Sequence, residues 1–204
     1  MELGFQVSSL KPVLTTEQEV FTAFERLREI GYRDLQNQWI SRDVPDEAVA
    51  EAMDQYGLRC VAVQDFYTDV TADLDRYRTQ NRLWHSRYMT VSRIPREYFS
   101  ADGLTQYAQK LREMADIFRE DGVTLTFHPV KDDYAPIDGV CAVDRLMAPL
   151  PEDIQVTACL YHTIRGGQDS IEFLRRYRGR VDLVHFKNAA LSPDGEEYLV
   201  PVGQ

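Results

Sequence analysis

The chain holds four histidines, and three of them, His128, His162 and His185, fall at the ends of three successive late β-type runs. Cys159 stands shortly before His162, and Lys187 shortly after His185. Imidazole and thiolate both suit zinc and related transition metals, so His128, Cys159, His162 and His185 make a mixed nitrogen–sulfur set. Magnesium would want carboxylates, and these are scarce at strand ends. Asp65 directly follows Gln64, while Asp132 and Asp133 lie beyond His128 in an expected loop. Lys187 points to the same side as His185 under the two-residue period of a strand, where an ammonium suits an anionic group or a developing enolate oxygen. Each residue also has a plainer reading. A lone strand-end histidine is more often a hydrogen-bonded structural residue, Cys159 alone reads as a small buried hydrophobe, and Lys187 as a rim residue in water. Three histidines converging on one mouth favour a shared polar pocket; His85, beside Trp84, fits the structural reading.

The elements that must position these residues alternate. Strand patterns cover residues 3–7, 32–36, 58–63, 88–91, 123–127, 154–160 and 181–186. Helical patterns cover residues 16–30, 45–56, 70–83, 101–120, 140–148 and 170–177. In the first helix Val20, Phe21, Phe24, Leu27 and Ile30 recur at helical spacing. Thr15 or Thr16 supplies a cap before Glu17 and Glu19, and Gly31 a stop. Strict βα alternation predicts a parallel sheet with covering helices. "FQVSSLKP" has no glycine after the first strand, which disfavours a dinucleotide-binding sheet and prefers a barrel. In a parallel barrel the functional side chains cluster at the C-terminal strand ends. There stand Gln6, Gln36, Gln64, Ser92, His128, Cys159, His162, His185 and Lys187.

Composition bounds the partners. The 204 residues suffice for one sizeable core, and a single domain over residues 1–204 is the simplest organisation. The net charge of -10, from 33 acidic against 23 basic residues, makes nucleic acid a poor default partner. Three widely spaced cysteines without a CxxC fit a reducing cytoplasm rather than a disulfide framework. No signal peptide is visible, and no apolar run approaches the roughly 20 residues of a membrane span. The expected location is therefore cytoplasmic, without membrane partners.

Several stretches resemble the sugar phosphate isomerase/epimerase proteins of the xylose isomerase-like TIM-barrel superfamily. They are "LGFQVSSLKP", "LREIGYRDLQ", "SRIPREYFSADG", "DGVTLTFHP" and "LYHTIRGGQDSIEFLRRYRGRVDLVHFKN", with the closing "VPVGQ" similar to the family's "PVGEG" segment. Their order and spacing cover essentially the whole chain. The resemblance implies a divalent metal (zinc, manganese or cobalt) at the strand ends. It also implies a small sugar or sugar phosphate as substrate, and proton transfer through an enediolate. The sequence departs from the family at several ligand positions. Gln36 stands where glutamate is usual, His128 where glutamate or histidine occurs, and Cys159 where aspartate occurs. His162 and His185 are retained, and Asn188 replaces the aspartate of "HLKD".

The expected fold is thus an α/β TIM-type barrel that is incomplete, with the eighth strand and last helices missing. A fragment is the favoured explanation. Completion by a second chain or swapped protomer, and an open barrel that dimerises, compete with it, so a homo-oligomer stays open. The leading function is a sugar isomerase or epimerase. His128, His162 and Lys187 are its candidate catalytic residues, and Gln6, Gln36, Gln64 and Lys187 contact sugar hydroxyls. The second reading is a catalytically degenerate homologue that binds a carbohydrate or a partner. A phosphodiesterase of the endonuclease branch is the weakest.

Overall fold

The computed structural model describes residues 2–195 and 197–203. Its seven main strands are β1 (Gly4–Gln6), β2 (Asp34–Asn37), β3 (Arg59–Phe66), β4 (Tyr88–Ser92), β5 (Thr124–His128), β6 (Gln155–Cys159) and β7 (Leu183–His185). They form one sheet whose hydrogen-bonded order follows the chain from β1 to β7. The β1–β2, β2–β3, β5–β6 and β6–β7 pairs are parallel. This is the sheet of a TIM-type (β/α) barrel, with seven strands among the described residues.

The helices are α1 (Glu17–Ile30), α2 (Asp46–Tyr56), α3 (Tyr67–Ala72), α4 (Leu74–Leu83), α5 (Ala101–Glu120), α6 (Ala142–Met147), α7 (Leu160–Arg165) and α8 (Ser170–Arg176). Two features depart from the sequence patterning here. The helix expected over residues 70–83 is divided at Asp73, whose backbone leaves the helical region at φ -147 and ψ 56. The helix α7 follows β6 without a loop, so His162 belongs to a helical turn and not to a strand end.

Residues 197–200, which lie in none of the strand patterns of the sequence, form a strand. Asn188–Leu191 and Glu197–Val200 pair as an antiparallel hairpin outside the main sheet. A second small hairpin joins Pro136–Ile137 to Val140–Cys141, so the helix expected from residue 140 begins only at Ala142.

The chain forms two compact units: residues up to Val91 with Asp116–Leu125, and Ser92–Ala115 with residues from Thr126 onward. In the first, α1 starts in a capping box. The Thr16 side chain accepts the Glu19 N–H, and the Glu19 carboxylate accepts the Thr16 N–H. The helix ends at Gly31, whose φ of 113 would strain any residue with a Cβ. The inner face of α1, Val20, Phe24 and Leu27, is buried in a core shared with Leu35, Val49, Ala52 and Ala62. Each large apolar side chain so buried contributes roughly 1.5–3 kcal/mol.

The core of the second unit is built from Phe127, Val143, Leu146, Val156, Ala158 and Phe173. Its polar centre is a hydroxyl pair, Thr126 and Thr157, 2.6 Å apart on neighbouring strands. The helix α7 is anchored on both sides. The Thr163 hydroxyl donates to the Cys159 carbonyl at 3.0 Å and meets the Tyr134 hydroxyl at 2.9 Å. Gly166 lets the end of α7 lie on the Tyr134 ring, where a Cβ would come within 2.4 Å of a ring carbon.

Candidate metal centre

The last residues of β5, β6 and β7 are His128, Cys159 and His185. Alternation along each strand puts Thr126 with His128 and Thr157 with Cys159 on common faces. The Thr126–Thr157 hydrogen bond is therefore the layer beneath the cluster. Cys159 and His185 are direct partners in the β6–β7 register. One ligand atom from each of His128, Cys159 and His185 lies within 4.8 Å of the others.

His128 is the best-defined member. Its ring is buried, and Nδ1 sits 3.3 Å from the Ser92 hydroxyl, while Nε2 has no hydrogen-bond partner among the described residues. Its own carbonyl accepts the Arg93 N–H at 3.2 Å, with Arg93 held at a φ of 66. Just beyond, the buried Asp133 carboxylate accepts N–H bonds from Val130 at 2.7 Å and Ile94 at 3.1 Å. Ser92, Arg93 and Ile94 thus fasten the chain after β4 to the end of β5. Burial pushes the Asp133 carboxyl up to about 7, only partly offset by those N–H donors.

The three imidazoles are held neutral. Burial, then the charges of His185, His162 and Lys187, hold His128 well below the ordinary histidine range. Burial and then Lys187 lower His162 to about 4 and His185 to about 3. A neutral imidazole keeps a lone pair for a cation. Burial also raises the Cys159 thiol, with Lys187 pulling the other way.

His162 lies one helical turn beyond Cys159, its ring 5.7 Å from that of His128 and nearly perpendicular to it. The His185 ring is nearer, at 4.9 Å. The sequence set of four is therefore a trio plus a neighbour, and the buried His162 Nδ1 also lacks a hydrogen-bond partner among the described residues. Lys187 lies with its ammonium 5.9 Å from the Tyr161 ring centroid. Tyr161 donates its hydroxyl to Glu197 of the hairpin, which also pairs with Arg165 at 2.9 Å.

The donor set fits a zinc-like ion. Two nitrogens and one sulfur match its ligand chemistry, and three protein ligands leave room for a fourth from solvent or substrate, the pattern of catalytic zinc sites. The orphaned Nε2 of His128 is a buried polar atom that such an ion would satisfy.

Gln6, Gln36 and Gln64 belong to the first unit, apart from this trio. The Gln36 amide donates to Gln64 Oε1 at 2.9 Å and to the Thr90 hydroxyl at 3.4 Å. Gln6 donates to Gln38 and accepts from Ser8. Asp65 takes the Tyr77 hydroxyl at 2.6 Å and the Phe66 N–H at 2.9 Å, while burial raises its carboxyl.

Ser92 was visible in the sequence as a polar strand end. The clamp made by Arg93 and Asp133 carries no local signal, since its partners lie more than thirty residues apart in the chain. Glu197 escaped because its hairpin reads as a loop.

A parallel sheet in chain order, with its polar residues at the C-terminal strand ends, defines the class of fold: a TIM-type (β/α) barrel. Among solved structures, the chain is similar to a sugar phosphate isomerase/epimerase from Parabacteroides distasonis ATCC 8503. The TM-score is 0.77 at 16% identity, over 94% of this chain and 77% of that one. It also resembles an IolI protein with a bound zinc atom (TM-score 0.72, 13% identity, 96% of this chain and 76% of that one). A family 2 AP endonuclease from Brucella melitensis matches at a TM-score of 0.67 and 15% identity, over 89% of this chain and 77% of that one. At these identities the likeness establishes the fold. No protein-family model and no curated protein sequence matches the chain. Among the described residues, no helix is long and apolar enough to cross a membrane.

Proposed function

We propose that the chain is a sugar isomerase- or epimerase-type enzyme in which His128, Cys159 and His185 hold a zinc-like divalent metal. The observation that carries this reading is the convergence of one nitrogen from each of His128 and His185 and the Cys159 sulfur within 4.8 Å, beside a His128 ring whose Nε2 has no partner among the described residues. Such an ion supplies Lewis acidity, polarising a carbonyl or hydroxyl of a bound sugar.

The chain's own residues supply proton handling and charge. His162 stands outside the trio with a Nδ1 unpartnered among the described residues, on a ring that burial holds neutral. It takes a proton from the carbon beside the sugar carbonyl and returns it to the former carbonyl carbon, while the hydroxyl proton of the first carbon passes through solvent to the former carbonyl oxygen; for an epimer, the proton on the opposite face comes from solvent. No atom is gained or lost, and the product is the isomer or epimer. Lys187 adds to the lowering of His162 and His185 that burial mainly causes, and offers a cation to the oxygen on which negative charge develops. Ser92, bonded at Nδ1 of His128, fixes which ring nitrogen faces the ion. The trio contains no carboxylate, which favours a soft ion over magnesium.

The same lack of carboxylates motivates the second reading, a homologue that binds carbohydrate without turning it over. Incubation of zinc-loaded protein with aldoses and ketoses in deuterated water separates the two. The enzyme reading expects deuterium at the carbon beside the carbonyl, abolished by His162→Ala with zinc retained. Sugar binding without exchange for any sugar would leave the binding reading standing.

A further inference from the structure

Lys187 stands between β7 and the hairpin, so the hairpin begins where the strand carrying His185 ends. Its strands, Asn188–Leu191 and Glu197–Val200, pair with each other and join no other strand among the described residues. A two-stranded ribbon is marginal alone and needs something to rest on. One such support is a carboxylate. Glu197, its side chain 15% exposed, pairs with Arg165 at 2.9 Å and accepts the Tyr161 hydroxyl. Tyr161 and Arg165 stand four residues apart on α7 and so share one face of it.

The Tyr161 ring also borders the two groups to which the proposed reaction assigns proton handling and charge. The His162 ring lies 5.1 Å from it, centroid to centroid, at 63°, and the Lys187 ammonium lies over it at 5.9 Å. Lys187 is exposed, and an ammonium on a flexible four-carbon stem holds no fixed place in water. An aromatic face draws such a cation to one position, provided that the ring is itself held. A phenol hydroxyl bonded to a carboxylate gives that hold, because a charged acceptor makes the stronger hydrogen bond. The Arg165 pair secures the hairpin to α7, while the hydroxyl bond continues through the Tyr161 ring to Lys187 and His162.

We infer that Glu197 and Tyr161 are positioning residues: Glu197 fixes the Tyr161 ring, and that ring fixes the Lys187 ammonium and the His162 ring beside the trio. The hairpin is thereby part of the site. This rests on the isomerase reading for the roles of Lys187 and His162, whereas the placement itself needs neither metal nor sugar, so the two can fail separately.

The first test is NMR of the metal-free full chain carrying isotope-labelled lysine. The chain has four lysines, and Lys187→Arg assigns the Lys187 signal. The inference expects its ε protons upfield of free lysine, the shift of protons held over an aromatic face. Glu197→Leu and Tyr161→Phe should both move the signal toward free lysine, since each removes one end of the hydroxyl bond. Glu197→Gln should leave it in place, because an amide oxygen still accepts the hydroxyl. That variant forfeits the ion pair with Arg165, so a merely structural role would make it as harmful as Glu197→Leu. The second test uses zinc-loaded protein with the aldoses and ketoses in deuterated water. At saturating sugar the exchange rate should fall at least tenfold in Glu197→Leu and recover in Glu197→Gln, with zinc affinity level in both. A Lys187 signal at the free-lysine position in the unaltered chain, a signal unmoved by Glu197→Leu, or an exchange rate unchanged by that variant would overturn the inference. No exchange in the unaltered chain would sink the isomerase reading alone, and the lysine spectrum would still decide the placement.

Discussion

The strand ends of the two units carry polar side chains that are largely buried, but they settle those groups differently. In the first unit Gln36 bonds Gln64 and Thr90, and Gln6 bonds Gln38 and Ser8, so the glutamines largely answer one another. In the second, His128 Nε2 and, one helical turn past a strand end, His162 Nδ1 find no partner among the described residues, and Cys159 and His185 converge on the His128 ring. An unsatisfied buried polar group costs about 1–3 kcal/mol. A pair of amides avoids that cost by itself, whereas an orphaned imidazole makes physical sense when something outside the chain completes it. The glutamine ends therefore satisfy one another within the chain, whereas the histidine ends wait on a ligand.

That contrast breaks most readily at the trio. Cys159→Ser or His185→Ala should weaken zinc binding by more than about 100-fold, because even outer-shell partners of a metal ligand are worth 10–100-fold. Competition with a chromophoric chelator measures it, and an effect under tenfold would place the ion elsewhere. Gln36→Leu should do the reverse. Zinc affinity stays level, while urea denaturation shows a loss of about 1–3 kcal/mol from the stranded Gln64 carbonyl. The Gln36→Leu/Gln64→Leu double variant should recover part of that loss, and strict additivity would contradict the pairing.

Ser92→Ala sharpens the contrast more gently. Freed of its Nδ1 partner, His128 can adopt either tautomer, and zinc affinity should fall by about tenfold with little change in apoprotein stability. The smallest effect is on pH dependence. His162 and His185 titrate near 6.5 when unfolded and near 4 and 3 when folded. Between those limits the unfolded chain binds more protons, so their contribution is fully present above about pH 6.5 and is lost as pH falls toward 3. Asp133 opposes them. Raised from 3.8 to about 7, it contributes stability at low pH that is lost as pH rises through that window. Urea melts of the apoprotein at about pH 4.5 and about pH 7 should show higher stability at the latter. His162→Gln should shrink the difference and Asp133→Asn should enlarge it; equal responses would mean the burial argument is wrong.

Much of this site was legible in the chain because barrel geometry converts strand ends into one mouth. His128, Cys159 and His185 each close a β-branched or apolar run, and alternation alone puts them on the same side. His162 reads as a strand-end residue because it stands two positions past the strand pattern of residues 154–160. The signal that α7 starts at once is a tertiary one, the Thr163 hydroxyl on the Cys159 carbonyl and the Tyr134 ring over Gly166. An isolated sequence does not show that Gln36 and Gln64, 28 residues apart, bond each other. The hairpin at 188–200 did carry a local signal. "SPDG" is turn chemistry, and Gly195 takes a φ of 82 there, its N–H bonded to the Ser192 carbonyl.

The most direct test of the central claim is cobalt(II) titration of the apoprotein followed by near-ultraviolet absorption, where a thiolate bound to cobalt gives an intense charge-transfer band. The account expects one cobalt per chain, a band that saturates at that ratio, and its loss in Cys159→Ser. Substoichiometric cobalt, or a band unchanged by Cys159→Ser, would contradict it.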